Sequence, residues 1–358
     1  MWNSGKTSYA VFIKVLATGA IYELPFTSFT FTEELNQGKS GTVTVDYLTF
    51  KNAVSAYNVD FMTLMIGATN EIWIEKSVIG SYTSTKLFDG VVSDFQIAKN
   101  TQGVMTVTIA MIGWLTMLNY RRTGVGVTFT AQDAAQIAWS LINTTQTNGS
   151  YGNLGIVQGL APTTVNRSIT YNNAHIFDEI INLSNAKLAS GFDFDLDNSK
   201  NFNIYYPFKG VSLPNVIFDD QNVNQWVFHD PLASSLVNTI WYSGDGSGAN
   251  ANIQYVQAAA TFLSAYGLLE NDISDKTLTD PSAILAAANL YLTYHQTPLA
   301  DFTITHLDDA PDITAYNLGD FPFFTIPDLE ISNRQLRVWK RQFSLDNSIT
   351  PTIVLTVH

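Results

Sequence analysis

"KLFDGVVSDFQIAKNTQGVMTVTIAMIGW", residues 86–114, decides how this chain is to be read. Apolar and polar side chains alternate along most of it, and a period of two puts one set on each face of an extended strand. Asp89-Gly90 sits between apolar flanks and reads as a tight turn, because Asp-Gly accepts the positive φ that such turns demand. The alternation resumes in "GVMTVTIAMIGW" (103–114). Toward the N-terminus the same period runs through "EIWIEK" (71–76), with Ile72 and Ile74 about Trp73. It continues in "GTVTVDYLTF" (41–50), where Val43, Val45 and Tyr47 alternate with Thr and Asp. Residues 8–120 are therefore expected to form a sheet curled into a sandwich or barrel.

On the C-terminal side the period changes. "FTAQDAAQIAWSLINTTQT" (129–147) is the first segment with helical spacing: Ala134, Ile137, Ala138, Leu141 and Ile142 form one apolar stripe. Thr130 is the expected N-cap, with Asp133 three residues on as the analogue of a capping box. A second helix is expected after Asn173, burying Ile176, Phe177, Ile180, Ile181 and Leu183 and stopping at Gly191. A hairpin around Asp197-Asn198-Ser199 follows, with Phe192, Phe194, Ile204 and Tyr206 available for its inner face. "SGDGSGANANIQ" (243–254) reads as a linker. Asp280 caps a third helix with Pro281 at its first position, packing through Ile284, Leu285, Ala288, Leu290 and Leu292 and ending before Pro298. Strands return in "DFTITHL", "DFPFFTI", "QLRVWKRQFSL" and "TPTIVLTV". The fold class is mainly β with short helices (α+β). No repeat of 20–50 residues, heptad or collagen triplet occurs, so a solenoid or fibre is not expected.

Bulk properties narrow the function. A chain of 358 residues suggests two or three domains, and 46% hydrophobic residues are ample for their cores. Charged residues make up only 14%, against roughly 25% in typical soluble domains. The surface is therefore expected to be polar but uncharged, or covered by partners. The net charge of −13, without a Lys/Arg run beyond Arg121-Arg122, disfavours a surface that clasps nucleic acid. With no cysteine, disulfides and thiolate chemistry are excluded. Lys14 splits the only hydrophobic stretch near the N-terminus and no run of about 18 apolar residues occurs. Neither a signal peptide nor stable membrane insertion is expected, and assembly in a cytoplasm is.

Candidate chemistry is sparse. His175, His229, His295, His306 and His358 show no HExxH or HxH spacing, so structural or solvated roles are expected rather than metal ligation. Asp193, Asp195 and Asp197 suggest calcium, but positions six and twelve of that loop would be Asn198 and Ile204 where glycine and glutamate are needed. An amphipathic strand with a solvated carboxylate face is the expectation. The pairs Asp178-Glu179, Asp219-Asp220 and Asp308-Asp309 are sequence neighbours, not carboxylates opposed across a cleft as glycoside hydrolysis requires; solvated loops are expected. No GxSxG, phosphate-loop or dinucleotide fingerprint follows a strand. The seven Trp and sixteen Tyr are scattered at core-like spacing. No catalytic, cofactor-binding or metal-binding residue is assigned, no cofactor is expected, and the chain is not expected to be an enzyme.

The succession of patterns resembles the baseplate or tail-tip hub proteins of tailed bacteriophages and related contractile injection machines. "KLFDGVVSDFQIAKNTQGVMTVTIAMIGWLTMLNYR" is similar to that family's strand pair ahead of an insert, with Leu115 closing the first barrel half. "FTAQDAAQIAWSLINTTQTNGSYGNLGIVQG" and "NNAHIFDEIINLSNAKLASGFDFDLDNSKNFNIYYP" resemble its helices and hairpin. "ITAYNLGDFPFFTI" resembles a Leu-Gly-Asp turn before a late strand, and "QLRVWKRQFSLDNSITPTIVLTV" its closing hairpin. The resemblance implies two tube-like β-barrel domains plus a helix-containing insert: a first barrel over 1–124, completed by about 205–240, an insert over 125–204, and a second barrel with one helix over 241–358. It implies a homotrimeric virion protein that closes the tail tube and joins the distal tail ring, the tube or tape measure, and tip or fibre proteins. DNA would pass through an acidic lumen without specific binding. A carbohydrate-binding or glycan-degrading β-protein, or a sixfold distal tail or tube protein, is the alternative.

Overall fold

Strands form over most of the segments where the period of two predicts them, and burial alternates along Ser28–Glu34, Met105–Gly113, Phe321–Ile326 and Thr352–Val357. The computed structural model describes residues 2–3, 7–78, 80, 83–149, 152–161, 166–185, 191–229, 236–245, 252–276, 278, 280–296, 301–308, 311–346 and 351–357. Residues 1–117, 211–226 and 303–357 make one compact unit; 118–210 and 227–302 make the other.

The first unit rests on a twelve-stranded sheet. In order across it lie Trp2–Asn3, Thr7–Lys14, Glu71–Val78, Ser84–Lys99, Met105–Gly113, Ser40–Asp46, Ser28–Glu34, Val338–Leu345, Thr352–Val357, Asp301–Leu307 and Val223–His229. Ile21–Leu24 pairs beside Thr7–Lys14. The order is an open path: among the described residues its first and last strands do not pair, so the expected closure into a barrel is absent from these pairings. Phe29 and Phe31 stack on Phe343 at centroid distances of 5.6 and 5.3 Å, and all three rings are buried with Val11, Ile13, Ile72, Ile74 and Phe88. A three-stranded sheet of Ser212–Asp219, Phe321–Ile326 and Ile331–Gln335 completes this unit.

Two expectations about this region are corrected. Asp89-Gly90 is not a turn; the strand Ser84–Lys99 runs through it, with Gly90 opposite Ile72 on one side and Gly113 on the other. A Cβ at Gly90 would be driven into the Ile112 carbonyl oxygen, so glycine serves close backbone approach there rather than a turn. The chain reverses at Asn100–Gly103 instead: the Asn100 side chain accepts from the amides of Gln102 and Val104, and Gly103 takes φ 85°. Nor does the strand at 41–50 continue to Tyr47. Asp46 accepts from the Thr49 amide at 2.8 Å and caps a helix Tyr47–Ala56, which buries Phe50 and Val54 and precedes the helix expected to be first.

In the second unit the strand Val125–Asp133 passes Thr130 and pairs with Asn166–Asn172. Asp133, not Thr130, caps the helix Ala134–Thr147, accepting from the amides of Ala135 (2.8 Å) and Gln136 (3.3 Å). The expected apolar stripe is buried. The next helix, Ile176–Ser184, starts after His175 rather than Asn173, which takes φ 54°. It ends at Asn185, short of Gly191. Strands Asp193–Leu196 and Asn201–Tyr205 form the expected hairpin, closed at Asp197, whose side chain accepts from the amides of Ser199 and Asn201. Phe192, Phe194 and Ile204 are buried, whereas Tyr206 lies past the strand end and is exposed.

The segment read as a linker closes another hairpin: Ser243 pairs with Ile253, at the ends of strands Thr239–Ser243 and Ile253–Gln257. Residues 246–251 of that segment lie outside the described residues. Glu270–Ser274 joins Thr239–Ser243 on the other side, in parallel. The helix Pro281–His295, capped by Asp280 as expected, packs Ile284, Ala287, Ala288, Tyr291 and Leu292 against Ile240 and Tyr242. Leu285, expected in that contact, is exposed because Ile284, Ala288 and Tyr291 already define the buried side of the helical turn.

Candidate functional site

Three strands of the first unit each carry one charged residue on a face that otherwise buries apolar side chains. Lys76 follows Ile72 and Ile74, Glu33 follows Phe29 and Phe31, and Arg341 precedes Phe343 and Leu345; the period of two turns all three inward. Burying a charge is expensive unless it is paired and hydrogen-bonded. All three are paired: Lys76 and Arg341 each reach the segment 306–320, and Glu33 is tied to it through Arg341.

Lys76 Nζ lies 2.5 Å from Asp308 Oδ2 and 2.6 Å from Asp312 Oδ2. Tyr9, opposite Lys76 in register, donates its hydroxyl to Asp308 Oδ2 at 2.7 Å, and the Ile313 amide donates to Asp308 Oδ1 at 2.7 Å. The Thr314 amide and hydroxyl donate to Asp312 Oδ1. Burial pushes the Asp312 carboxyl up, but these bonds and the Lys76 charge outweigh it and hold it below the usual carboxylate range. Burial, then the charge of Asp308, pushes the Tyr9 hydroxyl far up, so it remains a donor at neutral pH.

Glu33 and Arg341 face each other across neighbouring strands and form an ion pair; Lys39 Nζ joins Glu33 at 3.0 Å. Burial acts on Glu33 to raise its pKa, yet the charges of Arg341 and Lys39 prevail and bring it down to about 2. Arg341 Nη1 then donates to the backbone carbonyls of Ile313 (3.0 Å) and Tyr316 (2.6 Å). His306 is fully buried, with Nδ1 on the Leu307 carbonyl and Nε2 on the Tyr316 hydroxyl, both at 2.8 Å. The Leu-Gly-Asp turn ends the segment. Gly319 takes φ 91°, and Asp320 accepts from the amides of Asn317 (2.8 Å) and Val211 (3.0 Å) before Phe321–Ile326 begins.

The arrangement is a clasp. Each carboxylate is held by cations, by backbone amides or by both, and together they fix a turn against the sheet. Of the residues considered from sequence, it gathers His306 and Asp308. Asp308 is thus buried and paired, not solvated; Asp309 and His358 lie outside the described residues. The others are dispersed. His175 sits between the Asn119 carbonyl and Arg122, His295 stacks on Tyr291 at 3.9 Å, and His229 is on an exposed strand. Asp178 and Glu179 occupy the first turn of their helix, and Asp219 accepts from the Gln221 amide in a turn. Asp193 and Asp195 are not a solvated face either: the Lys209 amide donates to the first and its ammonium, at 2.6 Å, to the second. Among the described residues no group of three His, Asp or Glu is placed to hold a metal ion. Lys76, Glu33 and Arg341 were missed in the sequence, although their inward register position was the available signal.

No protein-family model matches this sequence, and no curated protein does. Solved structures match the fold over nearly the whole chain. The prophage MuSo2 43 kDa tail protein from Shewanella oneidensis is 13% identical, with a TM-score of 0.66 over 98% of both chains. The tail protein from Neisseria meningitidis is 10% identical, with a TM-score of 0.64 over 98% of this chain and 96% of that one. The Escherichia coli c3393 protein, a type VI secretion component described as similar to the T4 tail proteins gp27 and gp5, is 10% identical with a TM-score of 0.52 over 93% and 73%. At these identities the likeness defines a fold. The chain has the fold of these phage tail proteins.

Proposed function

We propose that this chain is a structural protein of a phage-like tail: a homotrimeric hub that closes the tail tube and links it to the distal tail ring and to tip or fibre proteins. The observation that carries this reading is the fold match, which spans 98% of the chain and 96–98% of two tail proteins rather than one shared module. The clasp supports it, since its ionisable groups are spent on holding a turn; the chain acts by assembly and not as an enzyme. Three chains of −13 each would repel DNA crossing their lumen and so let it pass. No helix among the described residues is long and apolar enough to cross a membrane. On this reading the protein resides in the virion after assembly in the host cytoplasm.

Light scattering of the purified protein tests the assembly state. A mass of three times 39.5 kDa is expected; six times that mass would favour a tube or distal-tail ring. A monomer at all concentrations, together with absence from tail particles by immuno-electron microscopy, would overturn the hub.

A further inference from the structure

The helix Pro281–His295 covers one face of the sheet centred on Thr239–Ser243. The other face carries, in register across three strands, Tyr255, Trp241 and Asp272 in one row, with Gln257 and Glu270 in the next and Ile253 beyond. Trp241 on the central strand and Tyr255 and Ile253 on the edge strand beside it are 46, 44 and 49% exposed, a contiguous outlay of large side chains. The indole and phenol rings lie 4.3 Å apart between centroids, and Trp241 Nε1 donates to Glu270 Oε1 at 3.1 Å, which fixes the indole. Two carboxylates thus stand two residues apart on the same face, and none of the three strands carries a lysine or arginine. Like charges so placed repel, and an incoming cation relieves them.

We infer that this face docks an arginine-bearing segment of another protein. A guanidinium stacks on the indole while its forked N–H donors reach Asp272 and Glu270, a combination that an ammonium does not reproduce. Charge complementarity selects the occupant: the face presents two carboxylates and its three strands carry no cation, so it favours a guanidinium over an acidic or neutral segment. That the partner is a tail component rests on the function proposed above; the surface itself does not.

The test titrates the full chain with the peptide acetyl-Gly-Arg-Gly-Arg-Gly-amide, following the indole N–H resonance of Trp241, assigned through Trp241→Phe. A saturable shift is expected, weakened at least about tenfold in Glu270→Gln/Asp272→Asn and unchanged in Asp328→Asn, an exposed carboxylate of the first unit. Both carboxylates are exposed and their amides isosteric, so folding is retained. Equal binding by all three proteins would reduce the effect to bulk attraction and overturn the inference. So would the absence of a shift, or a shift with chitohexaose in place of the peptide. Light scattering on the same samples separates the two proposals: a trimer without peptide binding fails this surface alone, and peptide binding by a chain that never trimerises fails the hub alone.

Discussion

Replacing Lys76 by methionine isolates the clasp. Lys76 and Asp308 side chains are 3% and 0% exposed, so the variant leaves a carboxylate buried with its countercharge gone. Breaking a buried pair from one side costs about 3–5 kcal/mol. Asp312, 34% exposed, is resolvated and adds little. At about 2–4 °C per kcal/mol for units of this size, the unfolding midpoint should fall by roughly 6–20 °C at pH 7. Asp308→Asn added to Lys76→Met removes the stranded charge while its side-chain oxygen still accepts from the Ile313 amide. The double variant should therefore recover at least about 1.5 kcal/mol, a coupling within the range seen for residues sharing one network. Calorimetry and urea titration of the four proteins read both numbers. A single variant within 2 °C of the parent, or a double variant no more stable than the single, would refute the claim that Lys76 is the countercharge on which this turn depends.

Acid should act through the neighbouring pair. Glu33 is held from 4.5 down to about 2, worth on the order of 3 kcal/mol. Because its folded pKa is depressed, this contribution is present above pH 4.5 and lost as pH falls toward 2; Asp312 acts in the same direction. Urea titrations across that window should show the decline in the parent and a flatter profile in Glu33→Gln, and equal slopes would contradict the assignment. Gly90→Ala should destabilise by more than 1 kcal/mol, since its Cβ meets backbone and not a movable side chain; a neutral change in urea midpoint would mean the strands part at no cost. Asp133→Ala should cost about 1 kcal/mol as a lost N-cap, while Thr130→Ala should cost less than half of that. The opposite ranking would restore Thr130 as the cap.

Much of this protein was determined by sequence alone. Alternation in 71–76 and 103–114 marks strands, and the stripe from Ala134 to Ile142 marks a helix, because those patterns satisfy local geometry and the burial of one face at once. Asp280-Pro281 marks a helix start for an equally local reason. The same patterns even place Lys76, Glu33 and Arg341 inward. Local chemistry misled where two local readings compete: Asp-Gly suits a turn, but at Gly90 the deciding fact is a carbonyl of a neighbouring strand, twenty-two residues away in sequence at Ile112. Thr130 and Asp133 both suit a cap, and the pairing of Val125–Asp133 with Asn166–Asn172 chose between them. The pairing of Val338–Leu345 with Ser28–Glu34, which brings Arg341 opposite Glu33, and the meeting of Asp308 with Lys76 emerge only in the folded chain. Those contacts join residues more than two hundred positions apart, and no local preference encodes them; they follow from which faces must be buried together and from the cost of leaving any of these charges alone.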